Sequence, residues 1–248
     1  MTESMRMWVE ITFNLVYLVV IWGLVGIMIY RRNTVAPENQ RAAGLVIWAF
    51  GLLALGDTGH VGFRVLAYAL GGLETRVNVF GLSLGLVGLG ALSTAVTVTI
   101  FYMLMLELWR VRFHKSYGWF EYFLLAAGVF RLAIMILPAN QWDSVVPPQP
   151  ISTLRNLPLM VQGLGVAYLI LRDARLAHDR TFAWIGVMIL VSYACYLPVI
   201  LFVQQAPAIG MLMIPKTLAY VAIGFLAYFD LYKVKEGSST ASPARIAI

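Results

Sequence analysis

Apolar residues run along this chain in seven long stretches, and polar residues collect between them. The stretches cover about 8–30, 43–69, 79–108, 118–137, 155–171, 182–203 and 210–232. Each is long enough to cross a ~30 Å hydrocarbon core as a helix, the fifth with least to spare. The pattern predicts an all-α, polytopic integral membrane protein, a seven-transmembrane-helix bundle filling 1–236 as one domain. A Ser/Ala/Pro-rich tail, 237–248, is expected to be disordered.

Composition agrees. Hydrophobic residues make up 60% of the chain and charged ones 12%, about half the charge of an average soluble domain. The net charge of +6 would suit a nucleic-acid partner, but its placement excludes one. Twelve of the eighteen basic residues lie between spans one and two, three and four, and five and six, or after span seven. The opposite loops hold Arg76, and the amino end holds Arg6. By the positive-inside rule the N-terminus is outside and the C-terminus cytoplasmic. The first run carries its positive charges after the apolar stretch and lacks an Ala-x-Ala site, so it reads as a span and not as a cleavable leader. Cys195, the single cysteine, permits neither a disulfide within the chain nor a thiolate cluster.

Inside the runs, small residues and prolines set packing expectations. Gly81, Gly85, Gly88, Ala91 and Ala95 read as a small-residue stripe for close helix approach along span three. Pro158, Pro198 and Pro215 are expected to bend or open spans five, six and seven. Trp8, Trp109 and Trp119 read as interface anchors. The loop from Leu137 to Thr153 serves either as a cap over the outer mouth or as a plain connector. No counterpart of the span-two charges occurs in span six, which argues against an inverted-repeat carrier.

The chemistry is carried by charges inside apolar runs. Asp57, His60 and Arg64 are spaced i, i+3, i+7 and share one face of the second helix. Each costs kilocalories in hydrocarbon unless it is paired or faces a wet interior. Counting residues inward puts Asp57 about 9 Å, Lys216 about 8 Å and Arg131 about 12 Å below the outer boundary. Arg155 and Asn156 open the fifth span from the same side. One acid against Arg64, Arg131, Arg155 and Lys216 makes an outward pocket suited to a carboxylate, a phosphate or a lipid headgroup. A self-satisfied network, with Asp57 bridging Lys216 or Arg131, is the structural alternative. His114 and His178 fall in cytoplasmic loops, so no metal set accompanies His60.

Several strings together resemble an uncharacterised family of bacterial seven-helix membrane proteins. They are Gly56-Asp57-x-x-His60-x-x-x-Arg64, Asn140-Gln141-Trp142, Arg155-Asn156-x-Pro158 and Pro215-Lys216-Thr217-x-Ala219-Tyr220. The resemblance spans most of the chain. It implies a multi-pass protein of a bacterial inner membrane and no particular activity, and it adds Asn140, Gln141, Trp142 and Tyr220 to the candidate ligand-binding residues. Lys216 in span seven is also similar in position to the retinal-binding lysine of rhodopsins. It lies near the mouth, however, and span three offers no carboxylate at depth as counter-ion, so no cofactor is expected.

Three uses of such a pocket stay open. One is binding of an anionic small molecule or lipid headgroup. A second is modification of a lipid or isoprenoid, with His60 and Asp57 as an acid/base pair. A third is proton-coupled transport. Membrane lipids are the expected partners, and the oligomeric state is not legible.

Overall fold

The computed structural model describes residues 3–79, 82–145 and 147–232. Its long helices are α1 (Glu3–Tyr30), α2 (Gln40–Ala69), α3 (Leu86–Arg112), α4 (Trp119–Ile136), α5 (Ile151–Leu176), α6 (Arg180–Phe202) and α7 (Met213–Leu231). Among the described residues these seven are long and apolar enough to cross a membrane. The tail from Gly237 lies outside the described residues.

Short connections force successive helices to run antiparallel, and the helices pack in chain order into a ring that α1 closes against α7. α3 is the inner helix: it packs on α2 and α4 and also reaches α5. Its path follows from glycine. A Cβ on Gly90 would sit 3.0 Å from the Cα of His60, so α3 can lie this close to α2 only without a side chain there. The outward faces are apolar, with Val19, Trp48, Phe130, Trp184 and Phe229 all exposed. That surface suits lipid tails and would be a liability in water.

The bundle has two unlike sides. On the side where α1 ends, which we call the basic side, Arg41, Arg110, Arg112 and Arg172 are tied to acids. Glu107 accepts from Arg41 at 2.8 Å and from Arg110 at 2.6 Å. Tyr117 donates to the same carboxylate at 2.8 Å, and burial followed by that bond pushes its hydroxyl pKa up, so it remains a donor. Arg112 joins α3 to Asp179 at 2.8 Å and to Asp230 of α7 at 3.0 Å. Asp173 is buried and accepts from Trp109 and Arg172, each at 2.8 Å, with Lys115 at 3.6 Å. Trp109 is therefore no interface anchor. Its indole is 1% exposed and bonded across to α5, because a buried carboxylate needs a donor. Trp8 and Trp119 are exposed, as an anchor requires.

Above this layer, Phe50, Phe101 and Tyr102 fill the interior. Phe101 meets Phe50, Tyr102 and Tyr220 edge-on at centroid distances of 5.4, 5.3 and 5.4 Å. This aromatic plug separates the basic side from the other half of the bundle, the N-terminal side.

Three sequence expectations change. Residues before Leu86 do not extend α3. They form an antiparallel hairpin of β1 (Arg76–Val79) and β2 (Leu82–Gly85), with Arg76 opposite Gly85 and Asn78 opposite Ser83. Polar residues alternate with apolar ones through this segment, the two-residue period of a strand. Gly85 is thus in a strand, and Gly81 lies outside the described residues, so the small-residue stripe begins at Gly88. Second, Pro215 sits in the first turn of α7, where no intrahelical N–H bond is lost. Pro158 and Pro198 lie inside helices that continue through them. Third, α5 begins at Ile151, which puts Arg155 and Asn156 inside the helix and not at its mouth.

Candidate functional site

A cavity of about 420 Å³ occupies the N-terminal half, and all seven helices contribute to its wall. It gathers Asp57, His60, Arg64, Arg131, Arg155, Asn156, Lys216 and Tyr220, eight of the eleven residues singled out from the sequence. The volume falls in the range of small-molecule sites.

Asp57 is the acid of the cavity, and its oxygens are already used. Oδ2 accepts from Tyr17 of α1 at 2.7 Å and Oδ1 from Thr94 of α3 at 2.8 Å. These hydroxyls hold the carboxylate between three helices. The alternative of a bridge from Asp57 to Lys216 or Arg131 does not form within ion-pairing distance among the described residues. Neither does a hydrogen bond from His60 to Asp57. The close approach of α3 at Gly90 lies against His60, and Asp57 turns to the hydroxyls instead.

The cations divide into two kinds. Arg131 is 2% exposed and is held entirely by neutral acceptors. It donates to the carbonyl oxygens of Ala95 at 2.8 Å and Arg155 at 3.0 Å, to Asn156 Oδ1 at 3.2 Å, and to Thr99 Oγ1. Arg155 donates to Asn140 Oδ1 at 3.2 Å and lies 4.2 Å over the ring of Trp142. All three guanidinium nitrogens of Arg131 are engaged, Arg155 has one bond and a ring face, and among the described residues neither is ion-paired with a carboxylate. Lys216 and Arg64 differ. Lys216 Nζ faces the rings of Tyr196 at 4.7 Å and Tyr220 at 5.4 Å, and among the described residues neither cation has a hydrogen-bond acceptor. His60 Nδ1 is likewise buried without a partner. These three groups are the ones with bonds to offer.

Asn140, Gln141 and Trp142 do not line the cavity. The last carbonyls of α4 lack partners within their own helix. Asn140 Nδ2 donates to Ile134 O at 2.7 Å and Leu137 O at 2.9 Å, and Trp142 Nε1 to Met135 O at 2.9 Å. The segment therefore caps α4 and buttresses Arg155 from behind, while Gln141 is exposed. The Trp142 backbone lies where a Cβ on Gly88 would collide with its carbonyl oxygen, and Asp143 pairs with Arg76 at 3.2 Å. This loop clamps the start of α3.

Sequence reasoning missed the hydroxyl lining. Tyr17, Thr94, Tyr193 and Tyr196 all face the cavity, as does Ser192, which the sequence suggests only as a packing residue. Tyr102 and Tyr220 share a hydrogen bond of 2.8 Å below it, and Tyr193 donates to Leu159 O at 2.8 Å. Hydroxyl residues are ordinary within apolar spans, so no single one stands out until its partner on another helix is known. Compared with family models, curated proteins and solved structures, the chain matches none.

Proposed function

We propose that this chain is a multi-pass membrane protein, N-terminus outside and C-terminus cytoplasmic, whose outward-facing cavity binds an anion. The ligand is a carboxylate or phosphate, either a free small molecule or a lipid headgroup. The observation that carries this reading is the charge balance of the cavity wall. Among the described residues, Arg64, Arg131, Arg155 and Lys216 line the cavity with one carboxylate, Asp57, whose two oxygens each accept a hydroxyl, from Tyr17 and Thr94. A bound anion would neutralise part of that excess where charge is expensive. Arg131 and Arg155 would supply field, and Lys216, Arg64 and His60 the direct hydrogen bonds. The excess of Lys and Arg on the basic side supports the orientation, and the resemblance to bacterial seven-helix proteins supports an inner-membrane location.

Native mass spectrometry of gently purified protein tests the reading. Wild type is expected to carry a co-purifying anionic lipid or metabolite that Lys216→Met loses while keeping its thermal stability. Undiminished binding of the same ligand by folded Lys216→Met would overturn the anion reading. A wild type that stays empty across a panel of carboxylates and phosphates would remove the anion reading.

A second reading is favoured by the unpartnered Nδ1 of His60. A ligand carrying an acidic proton could meet a general base there, in a lipid- or isoprenoid-modifying enzyme. His60→Gln would then abolish turnover and leave anion binding within about twofold.

A further inference from the structure

The cavity does not end at the aqueous mouth. A narrow crevice of about 20 Å³ opens between α1 and α2, with Ile11 and Asn14 on one wall and Arg64, Val65 and Tyr68 on the other. Asn14, His60, Val61 and Arg64 line both spaces, so the crevice lies directly against the cavity. On the far side it meets the outer surface of the bundle: Leu15 is 51% exposed, Val65 43% and Tyr68 40%. Those are flank residues of membrane-spanning helices, and by the count that puts Asp57 about 9 Å deep they stand at the outer edge of the hydrocarbon, level with the lipid headgroups.

The α1–α2 seam is pinned below this point and not beside it. Tyr17 bonds to Asp57 at 2.7 Å and Trp22 to Thr58 at 2.9 Å, while Arg31 ties the end of α1 to Tyr228 at 2.7 Å. Between Tyr17 and the N-terminal side, no hydrogen bond joins α1 to α2 among the described residues. The described polar contacts between α1 and α2 therefore lie at the lower edge of the seam, and parting the crevice above them breaks none of these.

The lining of the cavity indicates what passes. Beside the cations and hydroxyls its walls carry apolar surface: Phe13, Leu53, Val61, Leu159 and Ile214. A small hydrated anion satisfies Lys216 and leaves those walls uncovered. An amphiphile covers both, its anion at the cation cluster and its chain along the apolar wall toward the crevice. Arg64 stands where the two spaces join and can follow the headgroup inward on its flexible stem.

We infer that the site takes a lipid anion, a phosphate or carboxylate bearing an acyl or alkyl chain, which enters sideways from the bilayer between α1 and α2 with its chain left in the seam. This rests on the anion reading above and names its ligand class.

The test locks the seam. In a Cys195→Ser background, Ile11→Cys and Val65→Cys face each other across the crevice and are joined by oxidation in the full chain, reconstituted in phosphatidylcholine vesicles. Loading is followed with radiolabelled hexadecyl phosphate in the bilayer and methyl phosphate in the water. Oxidation is expected to slow hexadecyl phosphate loading at least tenfold, to spare methyl phosphate, and to be reversed by reductant. Ile11→Trp, which fills the crevice from a residue outside the cavity wall and without a cross-link, is expected to give the same contrast. Equal loading of hexadecyl phosphate with the seam open, locked or filled overturns the lateral route. Methyl phosphate binding as tightly as hexadecyl phosphate overturns the amphiphile. If neither phosphate binds the open protein, or both bind Lys216→Met undiminished, the anion reading itself fails.

Discussion

Arg131 shows how one residue can carry both stability and electrostatics. Its guanidinium is bound by two backbone carbonyls, an asparagine and a threonine spread over α3 and α5, an arrangement that needs a planar fork with several donors. Lysine keeps the charge and loses the fork. Interhelical hydrogen bonds in membranes average about 0.6 kcal/mol each, reaching about 1.7. Arg131→Lys is therefore expected to destabilise by about 1–3 kcal/mol, read as a lower midpoint of thermal unfolding in detergent, while an anionic ligand still binds. A midpoint unchanged from wild type would show that the four acceptors are worth nothing net. Tyr17→Phe is subtler. It strips one of the two donors from Asp57 and detaches α1 at the level of the cavity, so a loss of about 1 kcal/mol is expected. It should also quicken ligand exchange, because the same bond pins the lower edge of the seam. Slower exchange in Tyr17→Phe would contradict that role.

At the scale of elements, α2 and α3 form the scaffold on which the cavity is hung, and glycine decides how close they come. Gly90→Ala puts a methyl group 3.0 Å from the His60 Cα, where backbone cannot yield cheaply, whereas a methyl group at Gly62 meets nothing within 4 Å. Gly90→Ala is expected to lower the unfolding midpoint and the folded yield. Gly62→Ala is expected to be neutral or stabilising by up to about 1 kcal/mol, since alanine is the better helix residue. Equal midpoints for the two variants would mean that the α2–α3 approach is not under steric control. The same pair of helices shows what a sequence reveals and what it hides. Asp57, His60 and Arg64 were legible because a charge within an apolar run is costly wherever it lies, and spacing alone puts three on one face. Their neighbours were not. Thr94 and Tyr17 become donors to Asp57 only through a tertiary contact, and nothing in their local sequence distinguishes them from packing residues. The hairpin before α3 was hidden for another reason: its residues remain apolar enough to extend a hydropathy run, and only the two-residue alternation from Arg76 marks the change. Asn140 and Trp142 were correctly drawn to the N-terminal side, yet as helix caps, a role set by where α4 ends.

For the whole molecule, the asymmetry between the two sides unites fold and proposed function. The basic side is closed: Glu107, Asp173, Asp179 and Asp230 receive the arginines of α2, α3 and α5, and the aromatic plug around Phe101 lies behind them. The N-terminal side is open, and among the described residues the four cations of its cavity form no ion pair with a carboxylate. Pairing on the basic side does not weaken the topological argument, because the bias that orients membrane proteins follows Lys and Arg, and Asp and Glu contribute little. The proposed orientation therefore turns the closed side to the cytoplasm and the cavity to the outside. Cysteine labelling decides it. In a Cys195→Ser background, Ser144→Cys lies in the loop after α4, and Ala177→Cys lies in the turn between α5 and α6, on opposite sides of the bundle. A membrane-impermeant maleimide added to intact cells or spheroplasts is expected to label Ser144→Cys at once and Ala177→Cys only after permeabilisation. The reverse pattern would turn the cavity to the cytoplasm and make its ligand a cytoplasmic anion. The site chemistry would survive that result, since Lys216, Arg64 and His60 keep their unused bonds in either orientation. The lateral route would survive it too, because the flank between α1 and α2 faces the bilayer whichever way the bundle stands.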